Sequence, residues 1–169
     1  MRDTTTEDGF VPGAETAREF RDALGRFGTG VTVVTCATPS GPLGITANSF
    51  ASVSLDPPLV LWSPAKSSSR YPFYAAADHF AIHVMGQDQH GLCRGFARDG
   101  GAFDGVDWAE STHGVPLIEG CLARFECSKV AEHEGGDHTI IVGRVTRASS
   151  RDGMPLLFFG GQYGGFDEG

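Results

Sequence analysis

The feature that most constrains the fold is a succession of short β-type segments with few helical segments between them. Residues 121–128 alternate apolar and polar side chains with the period of two that predicts a half-buried strand. Further segments of strand length lie at residues 31–37, 43–53, 59–62, 80–85, 139–145 and 156–159. A doubly wound fold would need regular crossover helices, which this pattern lacks. The pattern therefore predicts a mainly β protein, an antiparallel barrel of Greek-key type with a few flanking helices, because closure removes exposed strand edges.

Three segments carry helical patterns instead. Apolar side chains at positions 17, 20, 24 and 27 recur at helical spacing and predict an amphipathic helix over residues 15–27. Pro72 favours a short helix over residues 72–77, and residues 87–98 are also predicted to be helical. The glycine-rich residues 160–165 are expected to form a turn or an irregular tail. The length suits one domain, so we expect a flexible N-terminal arm over residues 1–14 and a single domain over residues 15–169.

Charge and composition exclude several classes of function. The net charge is −8, whereas proteins that bind nucleic acids or anionic membranes present basic surfaces. No apolar stretch approaches the roughly 20 residues that cross a bilayer, and the acidic residues 1–13 match neither a signal peptide nor a transit peptide. The four cysteines form no C-x-x-C pair, so free thiols in a reducing cytoplasm are expected. Cys127, His133 and His138 share one stretch, but their spacing matches no common zinc site, and no metal is expected.

The segment over residues 44–53 is unusually polar for a buried strand. It contains Thr46, Asn48, Ser49 and Ser52, which are small uncharged side chains flanked by other small residues. Such a surface would allow a flat polar ligand to approach the backbone closely. Composition gives equal support to the alternative, an exposed strand face that happens to be rich in serine and threonine.

A basic, serine-rich segment precedes the second predicted helix. Lys66 and Arg70 flank Ser67 and Ser68 in an otherwise acidic protein, and the free N–H groups at a helix start favour anions. This combination indicates a phosphate site, with a capping serine in a solvated loop as the alternative. Farther along, the turn at residues 136–138 (G-D-H) delivers a histidine to the start of a strand, where a lone histidine is either catalytic or structural.

Together these segments resemble the short-chain flavin reductase family, the reductase components of two-component flavin-dependent monooxygenases. The resemblance covers residues 20–166 and rests on three motifs in order. The first is the opening helix and strand, residues 20–35. The second is T-A-N-S-F at residues 46–50, followed by V-S at 53–54 and P-P-L at 57–59. The third is G-D-H at residues 136–138, followed by G-R-V at 143–145. The resemblance implies the FMN-binding split-barrel fold for the domain over residues 15–169.

The resemblance also implies roles for individual residues. The residues expected to line the flavin isoalloxazine are Thr46, Ala47, Asn48, Ser49 and Ala51. The residues expected to hold the flavin phosphate are Lys66, Ser67 and Ser68. His138 would face the nicotinamide, Asp137 would orient its turn, and Tyr163, or Phe166 beside it, would close over the site.

The activity implied by the resemblance is reduction of FMN or FAD by hydride transfer from NADH or NADPH. The reduced flavin would then pass to a partner monooxygenase, and the protein would be a homodimer. Two alternatives stay open: a reductase of the same fold that keeps its flavin and reduces a corrinoid or quinone, and a flavin-binding carrier or sensor without turnover.

Trp62 departs from the family pattern, in which small residues often follow the P-P-L motif. Its side chain either fills the barrel or packs on the flavin.

Overall fold

Antiparallel strands are the main regular element of the structure, a computed structural model that describes residues 9–167. The helices are α1 (Ala17–Leu24), α2 (Tyr71–Ala76) and α3 (His90–Arg98), with a 3-10 turn at Gln87–Gln89. The strands are β1 (Thr29–Gly30), β2 (Thr32–Thr38), β3 (Gly41–Ala47), β4 (Ala51–Leu55), β5 (Pro58–Trp62), β6 (His79–Val84), β7 (Trp108–Glu110), β8 (Pro116–Ile118), β9 (Ala123–Gly135), β10 (His138–Ser150), β11 (Leu157–Phe159) and β12 (Gln162–Gly164). Within this range the strands pair antiparallel, which confirms the predicted fold class.

The principal sheet has the strand order β3-β2-β6-β9-β10-β5-β4. Its two edge strands, β3 and β4, are consecutive in the chain and are joined by residues 48–50. Seven strands laid flat would hold these edges roughly 29 Å apart, whereas the chain from Ala47 to Ala51 spans at most about 14 Å. The sheet must therefore curl until its edges meet. Because β3 and β4 do not pair in the described sheet, the barrel stays open along one seam, which we call the split.

The barrel interior is packed with apolar side chains. Trp62 is fully buried there, and its ring meets the edge of Tyr74 at a centroid distance of 4.9 Å. The Tyr74 hydroxyl donates to the Val34 carbonyl at 2.7 Å, so this buried polar group is satisfied. Trp62 therefore fills the barrel, as the first of the two interpretations of this residue predicts.

A second apolar layer holds α3 and the C-terminal strands against the outside of the barrel. Its buried members include Met85, Cys93, Phe96 and Leu156. The Phe96 ring lies so close to β3 that a Cβ on Gly44 would come within 2.6 Å of it, so only glycine fits there. This contact fixes α3 beside β3 and hence beside the split.

Some predicted elements have other boundaries in the structure. The single strand predicted over residues 43–53 is wrong, because the chain leaves one edge of the sheet at Ala47 and enters the other at Ala51. The helix predicted over 87–98 begins as the 3-10 turn, and α1 is shorter than residues 15–27. The strands predicted at 121–128 and 139–145 belong to longer strands, β9 and β10, whose extensions carry mostly exposed residues.

Other segments were missed or lie outside the described chain. β1, β7 and β8 were not predicted, because two or three residues carry no periodicity. Residues 160–165, predicted as a turn or irregular tail, form the turn and β12, with positive φ at Gly160 and Gly161. Residues 1–8 of the predicted arm lie outside the described residues, and residues 9–14 form neither helix nor strand.

Candidate functional site

The split is lined by the connection from β3 to β4, residues 48–50. Ser49 is tied to the end of β5: its hydroxyl accepts a hydrogen bond from Ser63 N–H at 2.9 Å and donates to Ser63 O at 3.2 Å. This pair holds the β3 side of the split against the β5 side. Asn48 is exposed, and its side chain has no hydrogen-bond partner among residues 9–167, while Ala51 opens β4 on an exposed surface. The connection therefore offers a free amide beside small side chains.

A pocket of about 280 Å³ lies on the β3 side of the split. Its lining residues are Val31, Ile45, Thr46, Ala47, Asn48, Arg70, Ala97, Phe158 and Tyr163. The Thr46 hydroxyl donates to Cys93 O at 2.6 Å, which joins the pocket floor to α3. The structure thus brings four of the predicted cofactor residues, Thr46, Ala47, Asn48 and Tyr163, to one cavity.

Arg70 lines this pocket, whereas the sequence predicted it as part of the phosphate site with Lys66. Its guanidinium donates to Gly44 O at 3.2 Å, Phe96 O at 2.5 Å and Ala97 O at 3.2 Å. The last two carbonyls lie in the final turn of α3, where a cation is favoured by the helix macrodipole. Sequence reasoning missed this role because the contact depends on how α3 packs against β3.

Lys66 meets the turn at residues 136–138, although about 70 positions separate them in the chain. The Lys66 N–H donates to Asp137 O at 2.9 Å, and its ammonium donates to Gly136 O at 2.9 Å. The ammonium also forms an ion pair with the Glu134 carboxylate, a partner that sequence reasoning missed. The basic segment at Lys66 and the G-D-H motif therefore form one junction.

Ser67 and Ser68 lie in the turn before α2 rather than in its first helical turn. Ser67 is exposed, and the Ser68 hydroxyl accepts the Arg70 N–H at 3.3 Å. Because α2 begins only at Tyr71, the helix macrodipole contributes less here than the sequence suggested. The remaining attraction for a phosphate comes from the Lys66 ammonium and the serine hydroxyls.

His138 opens β10 at the same junction. Its Nδ1 lies 2.7 Å from Asp137 Oδ1, and the ring is 44% exposed. This hydrogen bond lowers the pKa of the Asp137 carboxyl below its ordinary value, so the carboxylate is the acceptor and Nδ1–H is the donor. In the neutral ring this leaves Nε2 as the acceptor nitrogen, and Nε2 has no partner in the described part of the chain.

The C-terminal strands β11 and β12 form one wall of the pocket through Phe158 and Tyr163. The Tyr163 ring packs against Phe158 at a centroid distance of 5.3 Å and against His90, at the start of α3, at 4.7 Å. Burial raises the pKa of the Tyr163 phenol above its ordinary value, which keeps the ring neutral. Phe166, the alternative closing residue, is 53% exposed.

Residues 63–70 connect the Lys66 junction to the pocket, which Arg70 lines. Ser63, which holds Ser49, is followed by Ala65, which pairs with His138 in an isolated bridge. Lys66 and Arg70 then lead from the junction to the pocket. Two other grooves, of about 490 and 610 Å³, contain none of the predicted site residues, so cavity size does not identify the site.

This region suits a planar cofactor that carries a phosphate. The junction supplies a cation and hydroxyl donors for a phosphate, and the pocket supplies small side chains, an unpaired amide and two aromatic rings for a flat ring system. Within the described residues, no group of three or more His, Cys, Asp or Glu side chains could hold a metal ion, and all four cysteines are free. No helix in this range is long and apolar enough to cross a membrane. The fold and site together define a flavin-binding barrel.

The chain belongs to the family described as the flavin reductase like domain, whose model matches residues 24–167. It is 64% identical over 160 residues to FMN reductase (NADH) SmoA of Agrobacterium fabrum, across 95% of this chain and 92% of that protein. It is 40% identical to the reductase subunit HsaB of a flavin-dependent monooxygenase from Rhodococcus jostii, across 99% and 87% of the two chains. The solved structure of Streptomyces globisporus NADH:FAD oxidoreductase SgcE6 with NAD and FAD fragments matches it with a TM-score of 0.87 and 39% identity, across 95% of this chain and 98% of that one.

These findings confirm the predicted family, the split-barrel fold and the enzyme class, an NAD(P)H-dependent flavin reductase. They also confirm flavin and a nicotinamide as its cofactors. The named relatives are flavin reductases or reductase subunits, which favours the flavin-exporting interpretation over the corrinoid, quinone and carrier alternatives.

Proposed function

We propose that this chain reduces FMN with NADH at the split and releases the reduced flavin to a partner monooxygenase. The choice of FMN and NADH over FAD and NADPH follows the name of the relative that is 64% identical. The observation that carries the proposal is the junction of Lys66 with residues 136–138 beside the 280 Å³ pocket. It unites a phosphate anchor, a histidine and a cleft for a flat ring in one region.

When flavin is bound, it supplies the redox chemistry by accepting a hydride at N5 from the reduced nicotinamide. The protein's part is positioning. Lys66, Ser67 and Ser68 would anchor the phosphate, and this anchoring would set where the ring lies against residues 46–51. Donors along that connection, including the free Asn48 amide, would stabilise the negative charge that reduction places on the ring.

His138 is the residue we assign to the nicotinamide. With Nδ1–H held by Asp137, the free Nε2 of the neutral ring would accept a hydrogen bond from the nicotinamide carboxamide and orient the nicotinamide. Tyr163, braced by His90 and Phe158, covers the pocket and limits the access of water to the ring.

We further propose a homodimer, which two exposed apolar surfaces support. No residue of α1 is buried, and its Leu24 side chain is 60% exposed. The second surface is β4, an edge strand of the principal sheet, where Leu55 is 97% exposed. Phe20 lies about one turn from Leu24 on α1 and is 42% exposed, and Val53 of β4 is 48% exposed. Exposed apolar side chains grouped on one element favour an interface, and β4 borders the split. The four free cysteines suit a reducing cytoplasm, where we place the protein.

The proposal is tested by the rate of NADH oxidation measured with and without added FMN. We expect a low rate without flavin and a saturable rise with FMN, because the exposed split allows flavin to exchange. A protein that binds FMN yet oxidises neither NADH nor NADPH would instead be a carrier or sensor.

A further inference from the structure

The Lys66 ammonium, the proposed phosphate anchor, is already paired with a carboxylate of its own chain. Glu134, near the end of β9, forms an ion pair with it beside Gly136 O. We propose that Glu134 competes with the flavin phosphate for Lys66 and thereby shortens the time for which FMN stays bound. This inference rests on the proposed function, in which Lys66 holds the phosphate.

The Glu134 side chain is free to leave. It is 85% exposed, and within residues 9–167 its side chain makes its one polar contact with Lys66. Exposed ion pairs contribute little to stability, so an incoming phosphate can displace the carboxylate. Lys66 itself stays in place, because its N–H is bound to Asp137 O and its ammonium to Gly136 O.

The competition should weaken the binding of FMN. A phosphate monoester carries a charge of about −1.5 to −2 at pH 7, so a carboxylate on the same ammonium repels it whether or not the carboxylate moves away. Riboflavin has no phosphate, so this repulsion does not affect its binding. Glu134 therefore weakens FMN specifically, and a reductase that passes its flavin on benefits from an anchor that does not hold it permanently.

The size of the effect follows from the exposure of the pair. The Lys66 side chain is 32% exposed, so solvent screens the charges strongly. We expect Glu134→Gln to tighten FMN binding about two- to tenfold and to slow FMN dissociation by a similar factor. The affinity for riboflavin should stay unchanged.

The experiment is a fluorescence titration of wild type and Glu134→Gln with FMN and with riboflavin, plus stopped-flow dissociation of FMN. The matched control is Glu132→Gln, which removes the same charge from β9 but from a carboxylate that pairs with Lys129. We expect no change in FMN affinity for this control. In a Lys66→Gln background, the effect of Glu134→Gln should disappear.

The inference, but not the proposed function, would be overturned by an unchanged FMN affinity in Glu134→Gln, by equal shifts for FMN and riboflavin, or by a shift that persists without Lys66. An equal shift in Glu132→Gln would do the same, since it would show a general charge effect. A wild-type protein that binds no FMN would overturn both this inference and the proposed function.

Discussion

His83 makes the stability of the barrel sensitive to acid. Its side chain is fully buried; Nδ1 lies 2.9 Å from Val33 O, and Nε2 accepts the Ile118 N–H at 3.0 Å. Nδ1–H is therefore the donor to Val33, and the ring bridges β2 and β8 only as the neutral tautomer. Burial lowers the pKa of His83 to about 4, against 6.5 for an unperturbed histidine.

The sign and size of the effect follow from these two pKa values. Above about pH 6.5 the ring is neutral in both states, and its contribution to stability is complete. As the pH falls from 6.5 towards 4, the unfolded chain takes up a proton that the folded chain does not. The free energy of unfolding should therefore drop by about 1.4 kcal/mol per pH unit, to a total of about 3 kcal/mol near pH 4.

The assay is urea unfolding between pH 8 and pH 4, with His83→Gln as the comparison. The variant should be less stable at pH 8, because glutamine cannot reproduce both hydrogen bonds in the space of the ring. Its stability should fall less steeply below pH 6.5, since the carboxylates still titrate but this histidine does not. Equal slopes for the two proteins between pH 6.5 and pH 4.5 would refute the reasoning.

Three further predictions concern the site and the dimer. His138→Ala should lower kcat/KM for NADH by a factor of about 10 to 1,000 and leave FMN affinity and Tm nearly unchanged. A lower Tm with unchanged kinetics would show that the residue is structural. Arg70→Lys should destabilise the protein by about 1–3 kcal/mol in urea unfolding, because lysine cannot reach three carbonyls at once, whereas Arg94→Lys, at an exposed arginine of α3, should not. Leu24→Asp should shift the mass measured by light scattering from dimer to monomer, and a monomeric wild type would contradict the dimer.

The sequence predicted the strands where alternation is strong but not how the sheet closes. The break at residues 48–50 does have a local signal, because Asn48 and Ser49 favour turns, but Ile45, Thr46 and Val53 on either side made residues 43–53 resemble one strand. That break is set by the curl of a seven-stranded sheet, a property of the whole chain. The long extensions of β9 and β10 were missed for a related reason, since their exposed polar residues resemble a loop.

The candidate site was also predicted only in part from the sequence. The polar connection, the Lys66 segment and the histidine turn were found from residue type and family motif, and the structure gathers them at the split. The partners Glu134 and Arg70 needed three-dimensional information. Glu134 reaches Lys66 only because of the β9–β10 register, and Arg70 turns to α3 because the final carbonyls of that helix lie beside Gly44.

The central claim is that flavin bound at the split receives a hydride from NADH. It is tested most directly by anaerobic stopped-flow mixing of the FMN-loaded protein with NADH, following the visible absorbance of oxidised flavin. We predict a rapid loss of that absorbance in the wild type, and a slower loss in His138→Ala at equal FMN occupancy. An FMN-loaded wild type whose absorbance NADH leaves unchanged would contradict the account.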